Sequence, residues 1–588
     1  MPIRHTISRT LLVVALMAAV GCTSRQTALD QVTGPTPAMS SQTLPERSDP
    51  VPDPPIAGEA HQRAGLSTAV AAGAAKALAA ADASASSPGY AAGIVAAEIP
   101  SDIRTPTQPV DREQYAHYDD NPVKGVAETP VSTFSIDVDT ASYSNARRAI
   151  NSGRLPVKDA VRVEEFINYF DYDYPVPNDR RTPFRVTTEL GPNPWNEDTR
   201  LLQIGIKGYE VPAEKRPSAN LVFLVDVSGS MQSPDKLPLL KSALTLLTQQ
   251  LRKDDHIAIV VYAGASGVVL EPTAGDHKAT IVQALDALSA GGSTNGASGI
   301  RLAYELAAQH FEDKGINRVI LATDGDFNVG TVDFEALKNL IEQERKSGVS
   351  LTTLGFGSGN YNDRLMEQLA DAGNGNYAYV DSLNEAQKVL VDELGSTLQT
   401  IAKDVKIQIE FNPALVAEYR LIGYEDRVLR REDFNNDRID AGDIGAGHTV
   451  TAIYELALTG GRGSRIDPLR YARPEPGAAL HGDELAVVRL RYKEPDGDTS
   501  RLVEHTIARG DLQTALERTS ERYRFAAAVA AFGQLLRGGA YLGDFGYADA
   551  LALARTARGD DAFGYRGEFI GLVNLAQSLD RQVLRAGR

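Results

Sequence analysis

The chain has 588 residues, too many for a single hydrophobic core, and at about 150 residues per domain it predicts three or four folded units. Its 60 basic and 77 acidic residues give a net charge of −17, which argues against nucleic-acid binding because phosphate contacts need clustered Lys and Arg. The single cysteine, Cys22, excludes an intramolecular disulfide.

The first residues have the order of a secretory signal, predicted over residues 1–21. Two arginines precede the apolar run at 11–20, which is too short for a stable transmembrane helix. The stretch AVGC (19–22) resembles the lipobox of bacterial lipoproteins, whose cysteine is acylated and becomes the new N-terminus. The resemblance implies a lipid anchor on Cys22 and a place in the bacterial cell envelope, with Thr23 slightly favouring the outer membrane.

Residues 22–110 are rich in Ala, Ser, Thr and Pro, and Tyr90 is their only aromatic residue. Such a stretch cannot bury enough apolar surface to offset the entropy lost on ordering, so we predict a disordered tether. The remaining boundaries are predicted where the pattern changes: an N-terminal region at 111–217, an α/β domain at 218–400, a β-sandwich region at 401–512 and a helical region at 513–588.

Order is predicted to begin near residue 130. The stretch at 131–139 is typical of a strand, and Ser142 is a candidate cap for the helix after it. The apolar spacing at 157–170 predicts a second helix with one buried face. Alternating residues at 184–191 and 199–210 then predict two half-buried strands.

From 218 to 400 strands and helices alternate. The predicted strands are 221–226, 256–262, 267–270, 317–323, 350–355 and 377–380. The predicted helices are 236–252, 277–289, 297–311, 333–346, 362–372 and 383–400. This alternation predicts a Rossmann-like α/β fold, with a mostly parallel sheet between two layers of helices.

After residue 400 the pattern changes to alternating strands with polar connections, predicted at 405–412, 415–425, 448–458, 484–494 and 501–508. This pattern is typical of an antiparallel β-sandwich. The two strands before 218 are predicted to join the same sandwich, which would make the α/β domain an insertion with its two ends close together. Three helices are predicted to close the chain, at 514–536, 547–557 and 566–584.

The most informative stretch is the apolar strand at 221–226, whose end carries Asp226, Ser228 and Ser230. In an open α/β sheet, ligands bind beyond the carboxyl ends of the strands. One carboxylate and two hydroxyls form an all-oxygen set, which suits Mg²⁺, Mn²⁺ or Ca²⁺ rather than zinc or copper.

Two later stretches add to this set. Thr294 lies in a Gly-rich loop before a predicted helix, and Asp324 ends a second buried strand. The topology brings all three stretches to one edge of the sheet. A hard cation held there by two carboxylates and three hydroxyls, in part through water, keeps a coordination position open for a carboxylate of another molecule.

At these positions the chain resembles the von Willebrand factor type A (VWA) family over residues 218–400. The resemblance lies in the DxSxS pattern at 226–230, the threonine at 294 and TDG at 323–325. It implies a metal-ion-dependent adhesion site in which Ser228, Ser230 and Thr294 contact the metal and Asp226 and Asp324 bind it directly or through water. The implied partner is a protein that offers an Asp or Glu oxygen as the last ligand.

The chain also looks like a family of bacterial VWA lipoproteins with a VWA-associated N-terminal region and a C-terminal domain of unknown function. The stretches that carry this resemblance are 134–150, 164–175, 440–455 and 524–538. It covers residues 115–588 and implies an architecture but no mechanism.

The favoured hypothesis is therefore a membrane-anchored, metal-dependent protein-binding module rather than an enzyme. One alternative is a structural envelope protein in which a carboxylate from the chain itself fills the open metal position. The other is a hydrolase that uses the metal or Asp137 and Asp139. The stretch SIDVDTA (135–141) resembles a phosphatase DxDxT motif, but its threonine stands one position too early.

Overall fold

The computed structural model describes residues 112–177, 181–292, 296–325, 334–467, 470 and 482–586. The predicted signal, Cys22, the tether up to residue 110 and Thr294 lie outside these residues.

The strands of the described residues are, in chain order, β1 (Lys124–Gly125), β2 (Val131–Ser135), β3 (Phe184–Asn193), β4 (Asn196–Gly208), β5 (Ala219–Asp226), β6 (His256–Tyr262), β7 (Ser266–Ala274), β8 (Ile316–Thr323), β9 (Ser350–Phe356), β10 (Tyr377–Val380), β11 (Thr400–Phe411), β12 (Val416–Ile422), β13 (Ile444–Gly445), β14 (Thr449–Leu458), β15 (Glu484–Lys493) and β16 (Ser500–Ala508).

The α-helices are α1 (Ala141–Asn151), α2 (Val163–Asn168), α3 (Leu237–Gln250), α4 (Lys278–Asp286), α5 (Gly296–Gln309), α6 (Phe334–Glu344), α7 (Asp363–Ala372), α8 (Leu383–Gln387), α9 (Leu394–Leu398), α10 (Glu521–Arg537), α11 (Tyr547–Thr556) and α12 (Tyr565–Ala586). Among the described residues, no helix is both long and apolar enough to cross a bilayer.

The α/β domain is built on a sheet with the strand order β10-β9-β8-β5-β6-β7. All pairs are parallel except β6 and β7, which are antiparallel. Every residue of β5 is buried, because helices cover both faces of the sheet and each face has its own hydrophobic cluster. The continuous apolar run of this strand is what a sheet buried on two sides requires. The predicted Rossmann-like fold with a mostly parallel sheet is therefore confirmed.

The antiparallel strands form two facing sheets. One has the order β1-β12-β14-β4-β3, and the other has β13-β11-β15-β16 with β2 also paired to β11. Their inner faces share one hydrophobic core, so the two sheets form a sandwich. Because β4 precedes the α/β domain and β11 follows it, that domain is inserted between two strands of the sandwich. The ends of the insertion are close: a Cβ added to Gly208 would lie 2.8 Å from Cδ1 of Ile401.

The last three helices pack with α1 and α2 around an aromatic core. Phe170 lies at its centre, with ring centroids 5.1 Å from Phe525 and 5.5 Å from Phe569. Helix α10 is buried on nearly all sides, which explains why its sequence has no polar face. The predicted C-terminal helices are thus present, packed against the N-terminal region.

Several predicted helix limits were wrong for local reasons. Ser142 does not cap α1, because it lies inside the helix and its hydroxyl donates to the carbonyl of Ala160 at 2.7 Å. The helix predicted at 157–170 is reduced to α2, since a 3₁₀ turn and extended residues precede it. The helix predicted from 514 begins at Glu521, where Ser520 Oγ accepts the backbone N–H of Tyr523.

The helix predicted at 383–400 is also interrupted. It is divided into α8 and α9 by a π-helical segment at Lys388–Asp392, so its apolar period is not continuous.

A fully buried guanidinium group, that of Arg147, joins the α/β domain to helix α1 near the N-terminus and to helix α12 near the C-terminus. Arg147 of α1 lies 2.5 Å from Asp381 and 2.7 Å from Glu385, both of the α/β domain. A second terminal nitrogen of Arg147, Nη1, lies 2.9 Å from Glu568 of α12. Because a buried charge needs close partners, this one side chain fixes three parts of the fold relative to one another.

A second buried cluster lies where β2, α2, α7 and the loop after β12 meet. Arg427 bonds Glu367 at 2.9 Å and Asp371 at 3.0 Å. Arg162 bonds Asp363 at 3.0 Å and Glu367 at 3.1 Å. The carboxyl groups that make up this cluster are Asp137, Asp139, Glu164, Glu165, Asp363, Glu367 and Asp426, and the half-exposed Asp371 lies at its rim.

Carboxyl groups thus outnumber the two guanidinium groups in a buried space. Burial raises the pKa of Asp426 to about 7 despite the Arg427 charge, and burial raises the pKa of Glu165 to about 8 despite Arg162. Asp137 and Asp139, the pair of the phosphatase-like motif, are buried here, each 3.6 Å from Arg427. Their contacts are those of ion pairs within the fold.

We predict that Arg147→Met lowers the free energy of unfolding by about 3–5 kcal/mol, because three carboxylates lose their buried partner. Urea unfolding followed by circular dichroism measures the loss. Arg501→Met is the matched control, since Arg501 pairs with Glu494 at the surface and the change should cost less than about 1 kcal/mol. Equal losses in the two variants would contradict the assigned role of Arg147.

We also predict that the free energy of unfolding falls as the pH rises from about 4 to about 7. The pKa of Asp426 is higher in the folded chain than in the unfolded one, so folding takes up a proton. Its stabilising effect is complete below the unfolded pKa of about 4 and is lost as the pH passes the folded pKa.

Asp426→Asn should therefore flatten the pH profile of the free energy of unfolding, measured by urea unfolding, because the amide cannot ionise beside Glu367. The slope should be shallower by up to about 1.4 kcal/mol per pH unit. Parallel profiles for the two proteins would show that Asp426 does not hold the extra proton.

Candidate metal centre

The predicted site residues lie at the carboxyl edge of the central sheet. Asp226 ends β5, and Thr323 ends the neighbouring strand β8, where Val225 is in register with Ala322. The chain leaves β5 for β6 on one side and later returns to β8 on the other. The strand order therefore reverses at β5, and this is where open α/β sheets form their binding crevice.

Asp226 is fully buried, and both of its carboxylate oxygens accept hydrogen bonds. The backbone N–H of Ser228 donates to Oδ1 at 2.8 Å, and the hydroxyl of Thr323 donates to Oδ2 at 2.8 Å. Burial raises the pKa of Asp226, these donors lower it, and the Asp324 charge raises it further. The donors also fix the direction of the carboxylate, so it can present remaining lone pairs to a cation.

The two serines of the motif are adjacent in space. Ser228 Oγ lies 3.0 Å from Ser230 Oγ, so one cation could contact both. The backbone N–H of Gly229 donates to the carbonyl of Gly292 at 3.1 Å. The Gly-rich loop thus starts beside the serines, while Thr294, three residues into it, lies outside the described residues.

Asp324 depends on the glycine that follows it. Gly325 has a φ of +78°, and a Cβ added there would lie 2.6 Å from the backbone nitrogen of Asn362. Its N–H donates to the hydroxyl of Thr323 at 3.2 Å. Only glycine adopts this conformation in this space without strain, which gives the TDG pattern a physical reason.

Two further residues of the site were not predicted from the sequence. The ammonium group of Lys236 lies 2.8 Å from Asp324 Oδ2 and donates to Asn360 Oδ1 at 2.9 Å. The amide nitrogen of Asn360 in turn donates to Asp324 Oδ2 at 3.2 Å. Asn360 follows β9 and so belongs to the same sheet edge, which the strand order could have indicated. The motif contains no corresponding signal for Lys236.

The residues present fit a hard divalent cation. Asp226, Ser228, Ser230 and Asp324 offer only oxygen atoms. Within the described ranges no three His, Cys, Asp or Glu side chains are grouped for metal binding, so a cation here would need the hydroxyls as well. This chemistry matches Mg²⁺, Mn²⁺ or Ca²⁺ and does not match zinc.

The outer side of the site faces solvent. Gly229, Gly291 and Gly292 are exposed, and Ser230 is half-buried. The buried carboxylates lie beneath these residues, so a bound cation would have protein oxygens below it and an approach from solution above it.

Three known protein families match successive parts of the chain. Residues 109–203 match a family described as von Willebrand factor, and residues 220–392 match the von Willebrand factor type A domain. Residues 396–579 match the C-terminal family of the uncharacterized protein YfbK.

Individual proteins are also similar to this chain. The uncharacterized protein YfbK of Escherichia coli is 50% identical over 474 residues, which is 79% of this chain and 81% of that protein. Inter alpha-trypsin inhibitor heavy chain 4 of Mus musculus is 28% identical over 26% of this chain and 17% of that protein. The solved structure of a von Willebrand factor type A protein from Catenulispora acidiphila is 16% identical, covers 68% of this chain and 91% of that chain, and has a TM-score of 0.37.

We predict that Gly325→Ala destabilises the α/β domain more than Gly564→Ala does. The two glycines have φ values of +78° and +80°, but the added methyl group would clash only at residue 325. The backbone strain alone should cost about 1–3 kcal/mol in each variant. Thermal unfolding should therefore show a larger decrease for Gly325→Ala, and equal decreases would mean that the close approach to Asn362 is unimportant.

Proposed function

Since the chain belongs to the YfbK family and carries a von Willebrand factor type A domain, we propose that it binds a protein partner through a divalent cation at this sheet edge. The observation that carries the proposal is the convergence of Asp226, Ser228, Ser230 and Asp324 at one solvent-facing crevice. VWA domains are often metal-dependent and often take part in protein interactions, which supports the same conclusion.

The cation would be held by the serine hydroxyls and the two carboxylates, with Thr294 as the fifth predicted ligand. When bound, Mg²⁺, Mn²⁺ or Ca²⁺ supplies a positively charged coordination position that attracts a carboxylate oxygen. The chain's own part is orientation: Thr323 and the backbone of Ser228 hold Asp226 in place, and Gly325 directs Asp324.

An acidic partner is compatible with the chain's net charge of −17. The charge that the partner's carboxylate meets at close range is that of the cation, whereas distant surface charges are screened within about 10 Å at 0.1 M salt. We therefore infer that the partner presents an Asp or Glu side chain to the metal.

The proposed setting is the bacterial cell envelope, with Cys22 carrying the lipid. This part of the proposal rests on the lipobox resemblance at 19–22, which lies outside the described residues. Lipid chains on a single cysteine would hold the protein at the membrane without a spanning helix.

A second candidate is a structural envelope protein that uses the domain only within itself. It is favoured by the N-terminal segment, which reaches the loop that carries Asn360: the N–H of Arg112 donates to the Gly359 carbonyl at 2.9 Å. Glu113 from this segment accepts the Gly359 N–H at 2.9 Å and lies 2.8 Å from Arg148. A catalytic role for Asp137 and Asp139 has less support, because their contacts are those of a buried ion-pair cluster.

We predict that Asp226→Asn abolishes the Mg²⁺-dependent capture of a partner from native membranes. The amide keeps the size of the side chain but removes its charge, so cation binding should fall by at least about tenfold. Isothermal titration with MgCl₂ measures the affinity, and capture with Mg²⁺ or with EDTA identifies the partner. Asp276→Asn is the matched control, because Asp276 is exposed and lies outside the site.

Two results would contradict the proposal. If Asp226→Asn, in the presence of EDTA, still captured the proteins that the unchanged chain captures with Mg²⁺, the crevice would not be the binding site. If both proteins bound Mg²⁺ equally well, the ion would lie elsewhere.

A further inference from the structure

The position of Lys236 is unusual for a site that is meant to hold a cation. Its side chain is only 8% exposed, and its ammonium group lies 2.8 Å from a carboxylate oxygen of Asp324, which is completely buried. A positive charge of the protein itself thus already contacts one of the predicted metal ligands.

The lysine lies in a space shaped for it. Gly357 has a φ of +80°, and a Cβ added there would lie 2.3 Å from Cε and 2.4 Å from Cγ of Lys236. Any larger residue at 357 would displace the lysine stem. The glycine therefore provides the slot in which the aliphatic part of the side chain packs.

The ammonium group is also held from a second direction. Asn360 accepts a hydrogen bond from Lys236 at 2.9 Å and donates one to the same Asp324 oxygen at 3.2 Å. Lys236, Asn360 and Asp324 thus form a closed triangle, in which each member bonds the other two. The contact is part of the built site and not a chance surface ion pair.

We propose that Lys236 is an internal counter-cation that substitutes for part of the metal's charge and so weakens divalent binding. The inference rests on the metal site proposed above. With Asp226 and Asp324 ionised, the two carboxylates carry a charge of −2. The ammonium group of Lys236 reduces the net charge of the site to −1. A divalent ion then meets a smaller attraction and the direct repulsion of the ammonium group.

Two consequences follow from this arrangement. Without metal, the lysine keeps Asp324 paired, so the domain stays ordered at low divalent concentration. With metal, the affinity is lower than the same oxygen ligands would give alone. Partner binding would then follow changes in the surrounding divalent concentration instead of remaining saturated.

The test compares the full-length protein with Lys236→Met, using Mn²⁺ alone as the probe. Removing one positive charge near a divalent ion should tighten Mn²⁺ binding by about tenfold, measured from the electron paramagnetic resonance signal of free Mn²⁺. The melting temperature should also become more sensitive to metal: it should fall in EDTA and recover in MgCl₂.

Lys241→Met is the matched control. Lys241 is on α3, which begins directly after Lys236, but its ammonium group donates to the backbone carbonyls of Asp286 and Leu288 at 2.7 and 3.2 Å. Its loss should leave Mn²⁺ affinity unchanged. Lys236→Gln provides a second neutral variant with a hydrogen-bond donor, in case Lys236→Met does not fold, and its affinity should change in the same direction.

The outcomes separate this inference from the proposed function. If the unchanged protein binds Mn²⁺ and the neutral variants bind it equally or more weakly, Lys236 is not a counter-cation, while the metal site stands. If no form of the protein binds Mn²⁺, the metal site and the inference both fail. If only the neutral variants bind, the lysine excludes the ion completely, which supports the inference in its strongest form.

Discussion

The structure depends on the burial of arginine side chains among carboxylates where the α/β domain meets the rest of the chain. Arg147 reaches Asp381, Glu385 and Glu568 from α1, so three separate parts of the fold share one buried charge. Arg162 and Arg427 do the same for a larger group of acids. Breaking a buried pair leaves an uncompensated charge, so these contacts favour one arrangement of the parts over others.

This constraint changes how the inserted domain is understood. A domain joined through two linkers could move as an independent module, and a partner bound to it would not affect the sandwich. Here the ion pairs make the domain continuous with the helices and the sandwich. The contacts that position the metal centre, in contrast, include those of Thr323, Lys236 and Asn360, which all belong to the α/β domain.

The strand pattern could be predicted well from the sequence, because period and length are local properties. The end of β5 and the TDG stretch after β8 were enough to place Asp226 and Asp324 at one edge. What could not be predicted depends on distant partners. The short α2 and the place of Ser142 follow from packing against other segments, and Lys236 enters the site through a slot left by Gly357, more than 100 residues later.

The pairing of the N-terminal segment with the loop at 359–361 has a mechanical meaning. Arg112 and Gln114 donate backbone hydrogen bonds to Gly359 and Tyr361, and Asn360 between them contacts Asp324. If the chain were pulled at Arg112 while a ligand held the metal centre, the force would enter and leave at one edge of the α/β domain. The load would pass through the short loop that carries Asn360 and, through the contact of Glu113 with Arg148, into α1.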